Sequence, residues 1–310
     1  MKPSETTQRD GLWFAVAAHG IWGLFPLFWK QLGDVDALPL VSHRVIWSFV
    51  TLCVLGVIAG RLRPLLGAFT QRKVMGTYLA ASAMIAINWL AFLYAVNNDR
   101  VLEASLGYYI NPLFNVLLGV GLLGERLLRH QWIAVTLAAM GVAVMAIGGG
   151  GLPWVSLTMA ISFAIYGLVK KMAPLNSLDG LTIETGILFP LALGCLAWCA
   201  SLDADAAGLP DWRIGMLLVA GGAVTITPLA LFASATRRAS LSVIGMIQYI
   251  GPTLQWIVGR FVYGEPMPPE RLMGFAFVWI GLAVFVGGGW LHRRRGRLII
   301  SKVPVSRPPA

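Results

Sequence analysis

The feature that most constrains this chain is a series of ten apolar runs, each about as long as a bilayer core is thick. They fall at 12–30, 40–60, 74–96, 101–123, 130–149, 153–170, 180–200, 213–235, 241–263 and 271–291, bounded by charges, Pro or Gly. Lipid offers peptide groups no hydrogen-bond partner, so a spanning segment is a helix or part of a closed barrel. Runs of this length predict helices. Charged residues are 12% of the 310 and apolar residues 57%, too few charges to cover soluble domains. The expected fold class is all-α integral membrane, with ten transmembrane helices.

The placement of Lys and Arg sets the expected orientation. With a cytoplasmic N-terminus, 18 of the 24 basic residues face inward, five face outward, and Arg44 lies within a span. The inward set includes Lys170 and Lys171 at the end of the sixth run, and the tail His292-Arg293-Arg294-Arg295-Gly296-Arg297. This asymmetry predicts both termini inside. The net charge of +10 therefore reads as a rim around apolar spans and not as a nucleic-acid footprint. The tail is expected to be disordered beside anionic lipid headgroups. Cys53, Cys195 and Cys199 lie in apolar runs without a C-x-x-C, so they read as small buried residues. The first run is long and aromatic with no small-residue cleavage site after it, and is expected to be a retained span.

The chain also repeats itself. Residues 91–149 align without gaps on 231–289, a shift of 140, with 13 identical pairs. Among them are Phe92/Phe232, Tyr109/Tyr249, Pro112/Pro252, Gly124/Gly264, Glu125/Glu265 and Gly141/Gly281. Five spans per copy is an odd number, so the second copy enters from the opposite side. An inverted repeat is the architecture of many secondary transporters, in which two related units open a midplane site to either side in turn. The expected organisation is a cytoplasmic segment 1–11, a first repeat 12–150, a second repeat 151–291 and a basic cytoplasmic tail 292–310.

Several motifs carry a family resemblance. Trp22-Gly23-Leu24-Phe25-Pro26-Leu27-Phe28-Trp29-Lys30, His43-Arg44-Val45-Ile46-Trp47-Ser48 and Asn88-Trp89 resemble RarD-type permeases. So does the longest match, Leu102-Glu103-Ala104-Ser105-Leu106-Gly107-Tyr108-Tyr109-Ile110-Asn111-Pro112-Leu113. Gly124-Glu125, repeated as Gly264-Glu265, resembles the end-of-span signature of EamA-type repeats. The resemblance implies the drug/metabolite transporter superfamily: ten helices in two EamA-type repeats, in the bacterial inner membrane, with most members exporting metabolites or drugs. It leaves the substrate open.

Polar groups at membrane depth need a role or a partner. Glu184 is the one acid deep within the expected spans, and His43 and Arg44 lie about as deep from the other edge. A direct Arg44–Glu184 ion pair is not expected, because the two lie about 15 Å apart along the membrane normal. Glu184 reads either as a lone buried or snorkelling carboxyl, or as a proton-exchanging group, a role that His43 could fill instead. Arg44 either snorkels outward or attracts an anionic substrate group, a role that Lys30 could fill instead. Asn111-Pro112 and Gly251-Pro252 predict paired helix breaks, which point to a midplane site. Tyr109, Asn111, Asn115, Gln248, Tyr249 and Gln255 lie within two turns of those breaks. Each could bind a substrate or serve as polar glue between helices. Asn88, Trp89 and Tyr94 are weaker candidates, and Trp22 and Trp47 read as interfacial anchors or pocket walls. Gly124 is expected to end its helix in a left-handed turn, with Glu125 at the N-terminus of the next helix. Glu103 reads as a capping residue at the start of the fourth span, or as part of an outer gate.

Gly119-Val120-Gly121-Leu122-Leu123-Gly124 fits G-x-G-x-x-G, but it closes an apolar span and so fails the strand-to-helix context of a dinucleotide site. The four histidines are too scattered for a metal cluster, and no cofactor is expected. The sequence reads as a gradient-driven or passive transporter of a small organic molecule, with no nucleic-acid partner and with monomer and homodimer both open. The alternative is an integral-membrane enzyme or an accessory protein without transport.

Overall fold

A computed structural model describes residues 5–60, 67, 71–98, 100–147, 154–202, 211–264 and 269–300. The helices are α1 (Glu5–Trp29), α2 (Ala37–Ile58), α3 (Arg72–Asn97), α4 (Val101–Gly121), α5 (Arg129–Ile147), α6 (Trp154–Met172), α7 (Ser177–Leu202), α8 (Trp212–Arg238), α9 (Leu241–Gln248), α10 (Ile250–Ile257) and α11 (Pro269–Ile300). A 3-10 turn, Lys30–Leu32, extends α1, and a π-helical turn, Val258–Val262, extends α10. Among the described residues there is no strand. The protein is all-α and integral to the membrane.

Each of the ten apolar runs is helical over most of its described residues. Nine described stretches are long and apolar enough to cross a membrane, with α9, α10 and the π turn together forming one of them. The remaining helix, α4, has 21 residues. It carries Glu103, two tyrosines and two asparagines. The last helix corrects one expectation. The tail was to be disordered from His292, yet α11 runs on to Ile300. Arginine and leucine are good helix formers, and no proline intervenes before Pro304.

The prolines also divide. Pro252 has no N–H to donate to the carbonyl of Gln248, and the ladder lapses at Tyr249 between α9 and α10. Pro112 removes the same kind of bond, but α4 continues through it. The expected pair of breaks is therefore a single break. Neighbouring contacts hold α4 in place: Asn111 donates to the carbonyl of Ala160 at 3.0 Å, and Ser156 donates to the carbonyl of Glu103 at 2.5 Å.

The described helices fall into two compact units, α1–α4 with α6–α10, and α5 with α11. In the larger unit, α1 packs on α8 and α10, α2 on α7 and α8, α6 on α3 and α4, and α9 on α4. Its centre is aromatic: Trp22, Phe163, Tyr166 and Phe232 gather with ring centroids 5.2–6.3 Å apart, and His19 joins them. Trp22 is thus a core residue and not an interfacial anchor. In the smaller unit the two helices approach on glycines. A Cβ on Gly281 would lie 2.8 Å from the carbonyl of Ala134, and one on Gly141 would lie 2.5 Å from that of Gly274. Small residues of this kind replace the missing hydrophobic driving force between helices in lipid.

Candidate functional site

The larger unit holds four polar arrangements. The first centres on Arg44 of α2. Its guanidinium lies 4.8 Å from the ring centroid of Trp29 and 5.2 Å from that of Trp89, with Nε donating to Thr225 Oγ1 at 3.3 Å. Arg44 therefore does not snorkel. Indole faces attract a cation, and α1, α2, α3 and α8 each supply one group of this cradle. Among the described residues no carboxylate lies in ion-pair range of Arg44. Trp29 Nε1 is buried without an acceptor. His43 is buried on the same helix. Lys30 is exposed and does not join the cradle; its Nζ sits 3.6 Å above the ring of Tyr263.

The second arrangement is an ion pair that spacing did not reveal. Glu184 of α7 accepts from Lys170 Nζ at 2.6 Å through one oxygen and from the Tyr166 hydroxyl at 3.1 Å through the other. Both charged side chains are buried, 2% and 3% exposed. This corrects two expectations. Glu184 is not a lone carboxyl, and Lys170 is not a cytoplasmic orientation charge. Tyr166 and Lys170 are one helical turn apart on α6, so they present one face to α7. Tyr78 of α3 lies beside them, its ring centroid 5.6 Å from Lys170 Nζ, and Ser82 donates to the backbone carbonyl of Glu184 at 3.2 Å.

The third is an amide network between α4 and α9. Asn115 donates to Gln248 Oε1 at 2.7 Å, Gln248 donates to Asn111 Oδ1 at 2.6 Å, and Asn115 also reaches Asn111 Oδ1 at 3.2 Å. The Tyr109 hydroxyl donates to the carbonyl of Pro252 at 3.4 Å, and the Tyr249 hydroxyl donates to the carbonyl of Tyr109 at 3.2 Å. Gln255 donates to the carbonyl of Trp22 at 3.1 Å, and Asn88 to that of Met159 at 2.8 Å. These candidates act as fasteners between helices. Tyr94 is exposed and tilts against Trp154.

The fourth arrangement corrects the reading of Glu125. Gly124 does take a left-handed conformation, φ +64°, and so does Gly264, φ +68°. Glu125 does not serve the next helix, however. Its carboxylate accepts the backbone N–H groups of Leu241 and Ser242 at 2.7 and 2.9 Å, capping α9 across 116 residues of sequence. Lys171 lies 3.8 Å from the same carboxylate and donates to the carbonyls of Thr236 and Ala239. The start of α9 has free N–H groups and a positive dipole end, which favour an anion from any direction. Glu265 lies outside the described residues. Glu103 is the acid in the first turn of α4, where the helix dipole favours it, and it pairs with Arg100 at 3.3 Å.

Sequence reasoning missed Lys170, Lys171, Tyr166 and Thr225 as site residues. A signal existed for two of them: Tyr166 and Lys170 stand four residues apart on a span that carries few other polar groups.

The comparisons with known proteins agree on one group. The model of the EamA-like transporter family matches residues 9–147. Protein RarD of Escherichia coli (strain K12) is 43% identical over 291 residues, covering 93% of this chain and 97% of that protein. Protein RarD of Streptomyces exfoliatus is 42% identical over 297 residues, covering 95% and 93%. A solved crystal structure superposes with a TM-score of 0.68 over 88% of this chain and 96% of its own, at 17% identity, which speaks for the fold alone. These families are transporters and not enzymes, and the helices place the protein in a membrane with multiple passes. The chain belongs to the RarD-type permeases of the EamA-like transporter family.

Proposed function

We propose that this chain is a secondary-active exporter of a small organic solute that carries an anionic group, working in the bacterial inner membrane with both termini cytoplasmic. The observation that carries the reading is the Arg44 cradle. A guanidinium has five N–H donors, and here the protein takes up one of them, with Thr225. A half-buried cation that is held by ring faces and lacks a carboxylate is suited to a carboxylate or phosphate group, which it can bind through two parallel bonds. The orphaned N–H of Trp29 adds a further donor in the same neighbourhood. Alternating access between two inverted repeats, 12–150 and 151–291, then carries the solute across. A monomer or a homodimer serves this scheme equally, and the basic tail rests on anionic headgroups.

The test compares small molecules accumulating outside cells that overproduce the native protein, cells making Arg44→Gln, and cells with an empty vector. An anionic compound enriched only with the native protein supports the reading. Equal enrichment with Arg44→Gln removes Arg44 from recognition, and no enrichment with the native protein overturns export.

A further inference from the structure

The Arg44 cradle leaves the buried ion pair unexplained. A buried pair is no better for stability than apolar residues of the same shape, and ionisable groups at membrane depth are retained for function. Lys170 and Glu184 are the buried lysine and the buried carboxylate among the described residues. They join α6 to α7 across the short link 173–176, and Ser82 and Tyr78 bring α3 to the same point. Tyr166, which holds the second carboxylate oxygen, stacks on Phe232 at the aromatic centre of the unit. The pair thus sits where three helices meet and touches the packed core directly.

We propose that Glu184 is the proton-binding site that couples this transporter to a proton gradient, with Lys170 as the group that reports its charge to the helices. The inference rests on the reading of the chain as an alternating-access transporter. A proton arriving from water on one side joins the Glu184 carboxylate, giving a neutral acid, and the N–H···O bond from Lys170 breaks. Lys170 keeps its three protons and is left as an unpaired ammonium inside the bundle. That state is costly where it stands, so α6 moves relative to α7 until the ammonium meets new acceptors or water. Release of the proton to the opposite side restores the carboxylate and the pair. Tyr166 keeps its hydroxyl on Glu184 in both states, first as donor to the carboxylate and then as donor to the carbonyl oxygen of the acid. The titratable and charged groups facing Glu184 are Tyr166 and Lys170 of α6 and Tyr78 of α3. Asp179 of its own helix and Arg237 of α8 act on Tyr78. From α2, Phe49 packs toward Gly186, and no charged group of α2 reaches Glu184.

The experiment needs no identified substrate. The full-length protein is reconstituted, and infrared difference spectra are taken between acidic and alkaline buffer. In parallel, a single cysteine replacing Tyr108, a partly exposed neighbour of Arg44, in a background with Cys53, Cys195 and Cys199 changed to Ser, is labelled with an impermeant thiol reagent from each face. The ratio between faces cancels the pH dependence of the thiol reaction. The expected results are a protonated-carboxyl band in the native protein that is lost in Glu184→Gln, and a face ratio that shifts severalfold with pH in the native protein but stays constant in the variant. The double variant Lys170→Met with Glu184→Gln leaves no charge at this junction and should show the same constant ratio, even where the single variant folds poorly. A pH-dependent ratio that survives in either variant overturns the proposal, as does a carboxyl band unaffected by Glu184→Gln. Labelling from one face only, in every buffer and variant, overturns alternating access itself and the proposal with it.

Discussion

Removing one member of the Lys170–Glu184 pair should harm the protein more than removing both. The two charged atoms lie 2.6 Å apart with each side chain no more than 3% exposed, so water screens neither. Lys170→Met leaves a buried carboxylate with only the Tyr166 hydroxyl for a partner, and breaking a buried pair in this way costs about 3–5 kcal/mol. The double change Lys170→Met with Glu184→Gln leaves no charge to desolvate. Its amide can still accept from Tyr166, so its cost should be near zero or even a gain of about 1 kcal/mol. In thermal unfolding of detergent-purified protein, the single variant should fall by on the order of 10 °C and the double by less than about 3 °C. The thermodynamic cycle over the native protein, both single variants and the double should show a coupling above about 2 kcal/mol. Equal losses in the single and double variants would refute the reasoning, because they would mean that each charge finds water without the other.

Four further outcomes follow from the geometry. Arg44→Gln should unfold within a few degrees of the native protein, since it loses only two indole contacts and one hydrogen bond, about 2 kcal/mol together, and strands no counter-charge; the same melting assay checks it. Glu125→Ala removes two charge-assisted bonds to the start of α9, and amide exchange at Leu241 and Ser242 should accelerate in keeping with a loss of about 3 kcal/mol. Gly281→Ala places a Cβ 2.8 Å from the carbonyl of Ala134 and should cost about 1–3 kcal/mol in the melt. Gly124→Ala has open space around it but must hold φ +64°, so its cost should be about 1 kcal/mol and should come from the backbone alone.

The spans were legible because apolar length is a local property, and lipid leaves the backbone little choice. The ends of helices were legible where one residue decides them, as Gly124 does. Pro112 and Pro252 show the limit. Both remove one donor, yet only the second coincides with a break, because the outcome depends on what neighbouring helices supply. Lys170 and Lys171 show another. As adjacent letters they read as one basic cluster, but a helix turns about 100° between them. One enters the bundle to meet Glu184 and the other reaches toward Glu125. The cap formed by Glu125 lies beyond any local pattern, since its partners are backbone groups 116 and 117 residues away. The residues of the Arg44 cradle stood within recognisable motifs, while their meeting required four helices to assemble.

The lapse at Tyr249 divides one membrane crossing between two sets of neighbours. The α9 half is bolted to α4 by the Asn111, Asn115 and Gln248 amides, and Gly245 lets it seat against the carbonyl of Pro112. The α10 half is tied to α1, where Gln255 grips the carbonyl of Trp22 and Gly23 admits Leu254. Neither half is long enough to cross the bilayer alone, so the crossing behaves as an articulated strut with its pin at one residue. Any displacement of α1 against α4 would have to break the two tyrosine bonds that cross this joint, Tyr249 to the carbonyl of Tyr109 and Tyr109 to that of Pro252, while the amide seam of α9 and the α1 seam of α10 could stay closed.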